Sequence, residues 1–369
     1  MPTIIFKATE ACNSNCIYCD VVKRKKPQTI SLEVLELAYQ KINEYLEMFT
    51  DQTMQVIWHG GEPCMAGIDL YKNALKYQEQ YCPRTKERIQ YAVQSNLTII
   101  NQEFIDVFRA MGIDSIGTSY EPVHGLRGLG KERNSLLYNQ RFFQGINLLE
   151  KNNIGWGFIY VVTRKVLDRP LDILYHLTNL RLRGGFIIHP VLIYDNEDAD
   201  NVGVKDEEYA DFLGTMFKEW WAHRDRFPEV DPFRSYLNNY IKNKKEYSCT
   251  EGGSCAFSHV YIGPDGNTSH CGRAADWEVI DYGNISERSL IDIFTDEKRL
   301  TIKNRSALLA QGECKGCEYW QICHGGCPLD AWNKYKDFNH KSELCRSKQL
   351  FLKKYFEPIT GLHLKQQIK

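Results

Sequence analysis

The sequence predicts an α/β fold in which an incomplete (β/α)6 barrel is followed by a smaller, cysteine-rich domain. Up to about residue 195, six short runs of β-branched or aromatic residues alternate with helical patterns. Such alternation implies parallel strands joined by crossover helices. The pattern changes after about residue 205, and from Cys249 onward the chain is rich in cysteines and loops. We therefore expect two domains, at 1–230 and 231–369, the second ending in a C-terminal helix.

Each predicted barrel strand is short and bounded by turn residues. The strands are expected at 3–8, 54–58, 89–94, 115–119, 155–162 and 185–193, and the helices at about 31–49, 66–82, 102–111, 135–151 and 169–181. In the first helix, Ser31 suits the N-cap, and apolar residues then recur at helical spacing as far as Phe49. Beyond the barrel we expect helices at 205–226 and 232–245, then a hairpin turn at 261–267.

Composition excludes several classes of function. The formal net charge of -1 provides no basic field for nucleic acid or a membrane surface. No stretch reaches the roughly 18 apolar residues needed to span a bilayer, and the first residues lack the features of a signal peptide. We therefore expect a cytoplasmic protein without nucleic-acid or membrane partners. In that reducing compartment, 13 cysteines favour metal ligation over disulfides.

The first cysteine motif follows the first predicted strand. Cys12, Cys16 and Cys19 have the spacing C-x3-C-x2-C, and no fourth ligand lies nearby in the sequence. A cubane iron–sulfur cluster needs a ligand for each of its four irons. Three cysteines would leave one iron open to a substrate or cofactor, which indicates chemistry rather than simple electron transfer.

Polar residues recur where the next strands end. These polar residues lie in the segments Trp58-His59-Gly60-Gly61-Glu62-Pro63, Gln94-Ser95-Asn96 and Thr118-Ser119-Tyr120-Glu121. The carboxyl ends of barrel strands meet at one face, where active sites lie. Each group alone could be a turn or a helix cap, and His59 and His189 suit hydrogen-bonded pocket residues. Together, beside three thiolates, they predict a site.

This combination of motifs resembles the radical S-adenosylmethionine (SAM) enzymes over nearly the whole chain. The resemblance implies that Cys12, Cys16 and Cys19 hold a [4Fe–4S] cluster whose open iron binds SAM. Residues that match the family's SAM site are Tyr18, Gly60, Gly61, Glu62, Pro63, Ser95, Asn96, Ser119 and Arg127. Arg127 would bind the SAM carboxylate, for which Arg133 is the rival.

The C-terminal cysteines resemble the SPASM domain of radical SAM maturases of peptides and proteins. Cys255, Gly266 and Cys271 fit C-x10-G-x4-C, and Cys314, Cys317, Cys323, Cys327 and Cys345 complete the pattern. With Cys249, eight thiolates suffice for two fully ligated [4Fe–4S] clusters. The family's crossed arrangement implies one auxiliary cluster on Cys249, Cys255, Cys271 and Cys327, and another on Cys314, Cys317, Cys323 and Cys345.

Blander interpretations remain for some residues. A structural zinc site could use the C-x2-C pairs. Cys64 and Cys82 fit neither pattern and suit buried, inert thiols. The basic run at 23–26 is either a solvated turn or a docking patch for an acidic electron donor or peptide. No winged-helix peptide-recognition domain is expected, since the first strand begins at about residue 3.

The resemblance implies a peptide-modifying enzyme. A low-potential donor such as flavodoxin or ferredoxin would reduce the cluster, and SAM would yield a 5′-deoxyadenosyl radical that abstracts a hydrogen atom. The expected substrate is a ribosomally made peptide, cross-linked through a C–C or thioether bond. The alternative is an anaerobic sulfatase whose Cys or Ser becomes formylglycine. A third possibility, from another class, is an iron–sulfur electron-transfer protein or a zinc-binding scaffold.

Two positions separate the substrate classes. Sulfatase maturases have an aspartate, which serves as the catalytic base, directly after the cysteine that matches Cys271. This chain has Gly272 at that position. Ser119 followed by Arg127 is closer to peptide cross-linking maturases. The candidates for the catalytic base are Asp276 and Glu121.

Overall fold

The computed structural model describes residues 1–19, 21, 26–180, 185–193, 199–253 without 243–247, and 255–363. Within these ranges the chain forms ten strands and fifteen α-helices, in two compact units. The strands are β1 Thr3–Thr9, β2 Met54–Gly60, β3 Ile89–Val93, β4 Ser115–Ser119, β5 Gly155–Val162, β6 Phe186–Pro190, β7 Val230–Asp231, β8 His259–Ile262, β9 Asn267–Ser269 and β10 Gly283–Asn284.

Helices separate the first six strands, as the sequence predicts. They are α1 Leu32–Met48, α2 Ile68–Tyr81, α3 Gln102–Ala110, α4 Ser135–Lys151 and α5 Pro170–Thr178. The later helices are α6 Ala199–Val202, α7 Asp206–Ala222, α8 Phe233–Lys242, α9 Gly272–Asp276, α10 Leu290–Phe294, α11 Arg299–Gln311, α12 Trp320–Cys323, α13 Pro328–Tyr335, α14 Cys345–Phe351 and α15 Glu357–Thr360. Ser31 caps α1 by accepting a hydrogen bond from Val34 N.

The first unit contains residues 1–157 and 256–300. Its sheet has the order β10-β9-β8-β1-β2-β3, in which β1, β2, β3 and β8 are parallel neighbours. A single bridge between Gln94 and Gly117 continues the parallel arrangement from the end of β3 to β4. The expected (β/α) succession is confirmed, and β8 of the predicted hairpin adds to the barrel sheet beside β1.

Alternation along the strands separates the two faces of the first sheet. Phe6 stacks on Trp58 with ring centroids 5.1 Å apart, and Tyr71 of α2 packs edge-on against Trp58 at 5.2 Å. These rings therefore face the helices. Lys7, next to Phe6 on β1, must point to the opposite, inner face of the sheet.

The second unit contains residues 158–255 and 301–369, described as far as 363. Its strands pair in the order β5-β6-β7, and its aromatic core includes Phe217, Phe233, Phe351 and Phe356. The compact units differ from the division into 1–230 and 231–369, because residues 256–300 pack with the first 157. As a boundary between sequence domains, that division stays a prediction. No helix among the described residues is long and apolar enough to cross a membrane.

Candidate functional site

The three N-terminal cysteines lie in the loop after β1, where the sequence predicts the active face. Cys12 and Cys19 are exposed and Cys16 is half-buried. The backbone of this loop lies along residues 126–130: Asn15 N donates to Gly128 O at 2.8 Å, and Ile17 N donates to Leu126 O at 2.9 Å. The segment that contains Arg127 therefore supports the cysteine loop directly, which sequence spacing did not reveal.

The two glycines after β2 allow a close backbone approach to the cysteine loop. Gly61 N donates to Thr9 O at 2.9 Å, and Glu62 N donates to Ala11 O at 2.8 Å. A Cβ at Gly60 would lie 2.3 Å from Thr9 O, and one at Gly61 would lie 2.4 Å from Ala11 O. Any side chain at either position would force the two loops apart.

Glu62 is fully buried and connects the loops that follow β2 and β3. Its carboxylate accepts hydrogen bonds from Cys64 N at 3.0 Å, Ser95 Oγ at 2.8 Å and Asn96 N at 2.6 Å. Burial raises the pKa of Glu62 despite these bonds. Asn96 Nδ2 donates in turn to Asn13 Oδ1 at 2.9 Å, inside the cysteine motif. The structure thus brings together the residues predicted at the ends of the first three strands.

Ser119 ends β4, half-buried, and leads into a buried ion pair. Arg127 Nε donates to Glu121 Oε2 at 2.9 Å, and its other nitrogens donate to the hydroxyls of Tyr18 at 2.6 Å and Tyr138 at 3.0 Å. Glu121 also accepts from the Tyr18 hydroxyl. Burial opposes the charge of Arg127, but the charges of Cys16 and Glu121 outweigh it and raise its pKa.

Two residues that the sequence suggested for the site, Glu121 and Arg133, hold neighbouring groups in position. Glu121 is 2% exposed and holds Arg127 and Tyr18, so it resembles a positioning group more than an accessible base. The rival arginine, Arg133, donates from Nε to Asn15 O at 2.6 Å and so supports the cysteine loop.

Asp276, the other candidate base, lies at the end of α9 and pairs with Lys7 of β1. Both side chains are buried, with exposed fractions of 9% and 4%. The Lys7 ammonium also lies 6.0 Å from the centre of the Tyr261 ring. Gly272, one turn earlier on α9, has no atom within 4 Å of a Cβ built on it. A carboxylate is therefore present near the inner face of β1, four residues later than in the sulfatase-maturase pattern.

Four of the C-terminal cysteines line one cavity of the second unit. They are Cys314, Cys317, Cys323 and Cys345. This is the set that the resemblance implies for one auxiliary cluster, and Lys341 and Lys348 lie in the same wall. Burial raises the pKa of Cys314 to about 11, and the neighbouring thiolates add to the shift. A positively charged iron centre would relieve that repulsion, so these residues fit a cluster.

Arg305 joins the loop that carries Cys327 to the loop between α13 and α14. It is 2% exposed and donates to four carbonyl oxygens, those of Gly325, Gly326, Phe338 and His340, at 2.6–2.8 Å. Its pKa is lowered by burial, which the charges of Cys327, Cys255 and Cys314 oppose. Sequence reasoning missed Arg305, because no motif marks it. Cys271 belongs to the first unit, so its grouping with Cys249, Cys255 and Cys327 stays a prediction.

Among the described residues, no three His, Cys, Asp or Glu side chains are grouped as ligands of a single metal ion, and the zinc alternative stays a hypothesis. Cys64 and Cys82 are buried, as expected. His189 Nδ1 is hydrogen-bonded to Pro190 O at 3.0 Å, whereas His59 is exposed at the end of β2. Of the basic run, residues 23–25 lie outside the described ranges, and Lys26 is exposed.

Comparison with known proteins agrees with this geometry. The Radical SAM superfamily model matches residues 6–177, and the SPASM iron–sulfur cluster-binding domain matches residues 249–318. A cysteine-type anaerobic sulfatase-maturating enzyme of Clostridium novyi is 23% identical, over 97% of this chain and 96% of that protein.

Two solved structures share the fold. Native anSMEcpe with bound AdoMet and Cp18Cys peptide has a TM-score of 0.82 at 19% identity and covers 98% of both chains. Streptococcus suis SuiB bound to the precursor peptide SuiA has a TM-score of 0.61 at 15% identity, over 93% of this chain and 76% of SuiB. The loops around Glu62 and the cavity of four thiols fit the SAM and iron–sulfur cofactors of these domains. The chain therefore carries a Radical SAM domain followed by a SPASM domain.

Proposed function

We propose that this enzyme oxidises a residue of a ribosomally made peptide and joins it to a second residue through a C–C or thioether bond. The observation that carries the proposal is the buried Asp276–Lys7 pair, combined with Gly272 at the position where sulfatase maturases have an aspartate. SuiB, a structural relative, was solved with a precursor peptide, which supports a peptide substrate.

The proposed cofactor sites follow the sequence motifs. Cys12, Cys16 and Cys19 would hold the SAM-binding cluster, next to the backbone of Gly60–Pro63. Ser95, Asn96, Ser119, Tyr18 and Arg127 would complete the SAM site. Because Glu62 already accepts three hydrogen bonds, we assign the SAM ammonium to backbone carbonyls and give Glu62 the role of fixing their positions.

Bound at this site, SAM would supply the chemistry that removes one hydrogen atom from the substrate. The oxidation then requires the loss of one electron and one proton. The eight C-terminal thiolates would hold two clusters that take the electron. Asp276, whose carboxylate pairs with Lys7 beside the inner face of the sheet, would take the proton as the base. An external low-potential donor would reduce the first cluster.

Formylglycine formation on a sulfatase is the second candidate. It is favoured by the sulfatase-maturating relative, which this chain matches over nearly its full length. Asp276 lies four residues after Gly272, and residues i and i+4 share one face of a helix. A carboxylate displaced by one turn could therefore replace the missing aspartate.

Product chemistry distinguishes the two candidates. The reconstituted enzyme, SAM and a strong reductant are incubated with short peptides encoded beside the gene, and in parallel with a sulfatase peptide carrying Cys or Ser. A peptide that loses two hydrogens and stays unreactive to a hydrazide reagent supports cross-linking. An aldehyde trapped by the hydrazide in the sulfatase peptide supports formylglycine formation. SAM cleavage that is no greater than in a Cys12→Ala/Cys16→Ala/Cys19→Ala control would contradict both.

A double-mutant cycle tests Asp276 as the base. Asp276→Asn leaves Lys7 as an unpaired buried charge and should destabilise the enzyme by roughly 3–5 kcal/mol. Adding Lys7→Met should restore much of that stability. If Asp276 is the base, product turnover in the double variant remains at least tenfold below that of the parent enzyme although its stability is restored. Deoxyadenosine formation should continue. Recovery of turnover together with stability would show that the carboxylate is only structural.

A further inference from the structure

A buried lysine lies beside the four thiols that share one cavity of the second unit. Lys348 follows Cys345 by three residues on α14, so both project from the same side of the helix. Lys348 lines the cavity together with Cys323. Its Nζ is 3.1 Å from Glu251 Oε1, and the two side chains are only 16% and 6% exposed. A positive charge is therefore held at the wall of the thiol cavity and largely out of water.

The partner of this lysine is fixed by its own hydrogen bonds. Tyr236, 2% exposed, donates its hydroxyl to Glu251 Oε1 at 3.0 Å, and Ser248 Oγ donates to Oε2 at 3.4 Å. Glu251 is absent from the described lining of the cavity, whereas Lys348 belongs to it. Lys348 therefore lies in the same cavity wall as the thiols, and its counter-ion Glu251 lies outside that wall.

The charged groups around the cavity interact as this placement predicts. Burial alone would lower the pKa of Lys348, but the negative charges of Glu251 and Cys323 raise it. In return, Lys348 opposes the effect of burial, which raises the pKa of Cys323. Gln349 Nε2 also lies 3.6 Å from Cys317 Sγ, within range of an N–H···S hydrogen bond.

Net charge and hydrogen bonds to sulfur are among the factors that set the potential of an iron–sulfur cluster. A nearby cation favours the reduced, more negative form. We propose that Lys348, held by Glu251, is a positioning residue that raises the reduction potential of the auxiliary cluster in this cavity. The proposal rests on the assignment of the cavity's four cysteines to one cluster, and is independent of the substrate. A raised potential would suit this cluster to accept the electron that the substrate gives up.

The test is a redox titration followed by electron paramagnetic resonance, on full-length enzyme with reconstituted clusters and no substrate. A background with Cys12, Cys16 and Cys19 changed to Ala removes the SAM-binding cluster, and Cys317→Ala in that background identifies the signal of the cavity. Lys348→Met should lower the midpoint potential of that signal by up to about 59 mV, which corresponds to a tenfold change in the one-electron reduction equilibrium. Lys348→Arg keeps the charge and should leave the potential close to that of the parent.

Glu251→Gln provides a test of opposite sign, because it removes the counter-charge and should raise the potential. If Lys348→Met does not retain iron, Lys348→Gln and Glu251→Gln carry the same comparison. An unchanged midpoint in an iron-loaded Lys348 variant, or shifts of the same sign for Lys348 and Glu251 variants, would overturn the proposal. Signals of both auxiliary clusters surviving Cys317→Ala would also overturn it, by refuting the cluster assignment while leaving the proposed peptide oxidation untouched.

Discussion

At the residue scale, the site depends on a few buried charged groups whose hydrogen bonds connect separate loops. Glu62 joins the ends of two strands through three accepted bonds, and Arg127 joins the cysteine loop to the segment after β4. Removing one partner of a buried polar contact costs more than the contact contributes, because the other partner is left unsatisfied. Single substitutions at these residues should therefore have large effects.

Glu62→Gln keeps the size of the side chain but replaces one acceptor oxygen by a donor. That amide would face a backbone N–H, either that of Cys64 or that of Asn96. We expect a loss of about 1–3 kcal/mol in the free energy of unfolding, measured with denaturant, and at least a tenfold weaker binding of SAM, measured by calorimetry. Glu44→Gln, whose carboxylate is exposed and pairs only with Lys41 in the described contacts, is the matched control and should change neither value. Normal SAM affinity in Glu62→Gln would contradict the role given to this residue.

At the element scale, the sequence encodes close approaches between neighbouring segments. Gly60 and Gly61 bring the end of β2 against the cysteine loop, while Arg305 gathers four carbonyl oxygens of the C-terminal loops. Both devices bring thiols into position without contributing a ligand.

Gly61→Ala tests the first close approach. Its Cβ would lie 2.4 Å from Ala11 O, so the loop that carries Cys12 must move. We expect the variant to lose most of the SAM-binding cluster, with at least tenfold less SAM cleavage, while the auxiliary clusters remain. Gly272→Ala is the control, because its Cβ would meet no atom within 4 Å. Iron analysis and the yield of deoxyadenosine provide the measurements, and equal values for the two variants would refute the steric argument.

Arg305→Lys tests the second device. A lysine keeps the charge but cannot supply donors to four carbonyls from one planar group. Since hydrogen bonds from a charged group contribute about 1.5–3 kcal/mol each, we expect a loss of at least 2 kcal/mol and reduced iron in the auxiliary sites. The exposed Arg169→Lys should behave like the parent enzyme. Full iron occupancy and unchanged denaturant midpoint in Arg305→Lys would refute this prediction.

At the scale of the whole molecule, the two units differ in what stabilises them. In the first, buried aromatic residues pack between the strands and the helices, including Phe6, Trp58 and Tyr71. In the second, the segment from 312 to 345 consists of the short helices α12 and α13 and of loops around cysteines. Bound metal contributes its binding energy to the folding of such a segment.

Iron removal should therefore loosen the second unit selectively. We expect that chelation under reducing conditions exposes the segment 312–345 to protease at least tenfold faster, whereas α1 and α2 stay protected. Limited proteolysis with identification of the fragments by mass spectrometry measures this. Simultaneous cleavage in both units, or no change in either, would contradict the expected division of stability.

Local patterns determined the elements, because periodicity and caps act over a few residues. The sequence alone predicted α1 within one residue at each end and the position of β4, whereas the family resemblance implied the set of cysteines that lines the cavity of the second unit. Family resemblance added the cofactors that such cysteines hold.

Only the tertiary structure decided which groups meet across long separations. It paired Lys7 with Asp276 and Arg127 with Glu121. It also placed β8 beside β1 and buried Lys348 against Glu251. The physical reason is that hydrophobic spacing specifies which face of an element is buried, but says nothing about which distant charge lies opposite. Those pairings arise only when distant segments of the chain pack together, so no local pattern in the sequence could reveal them.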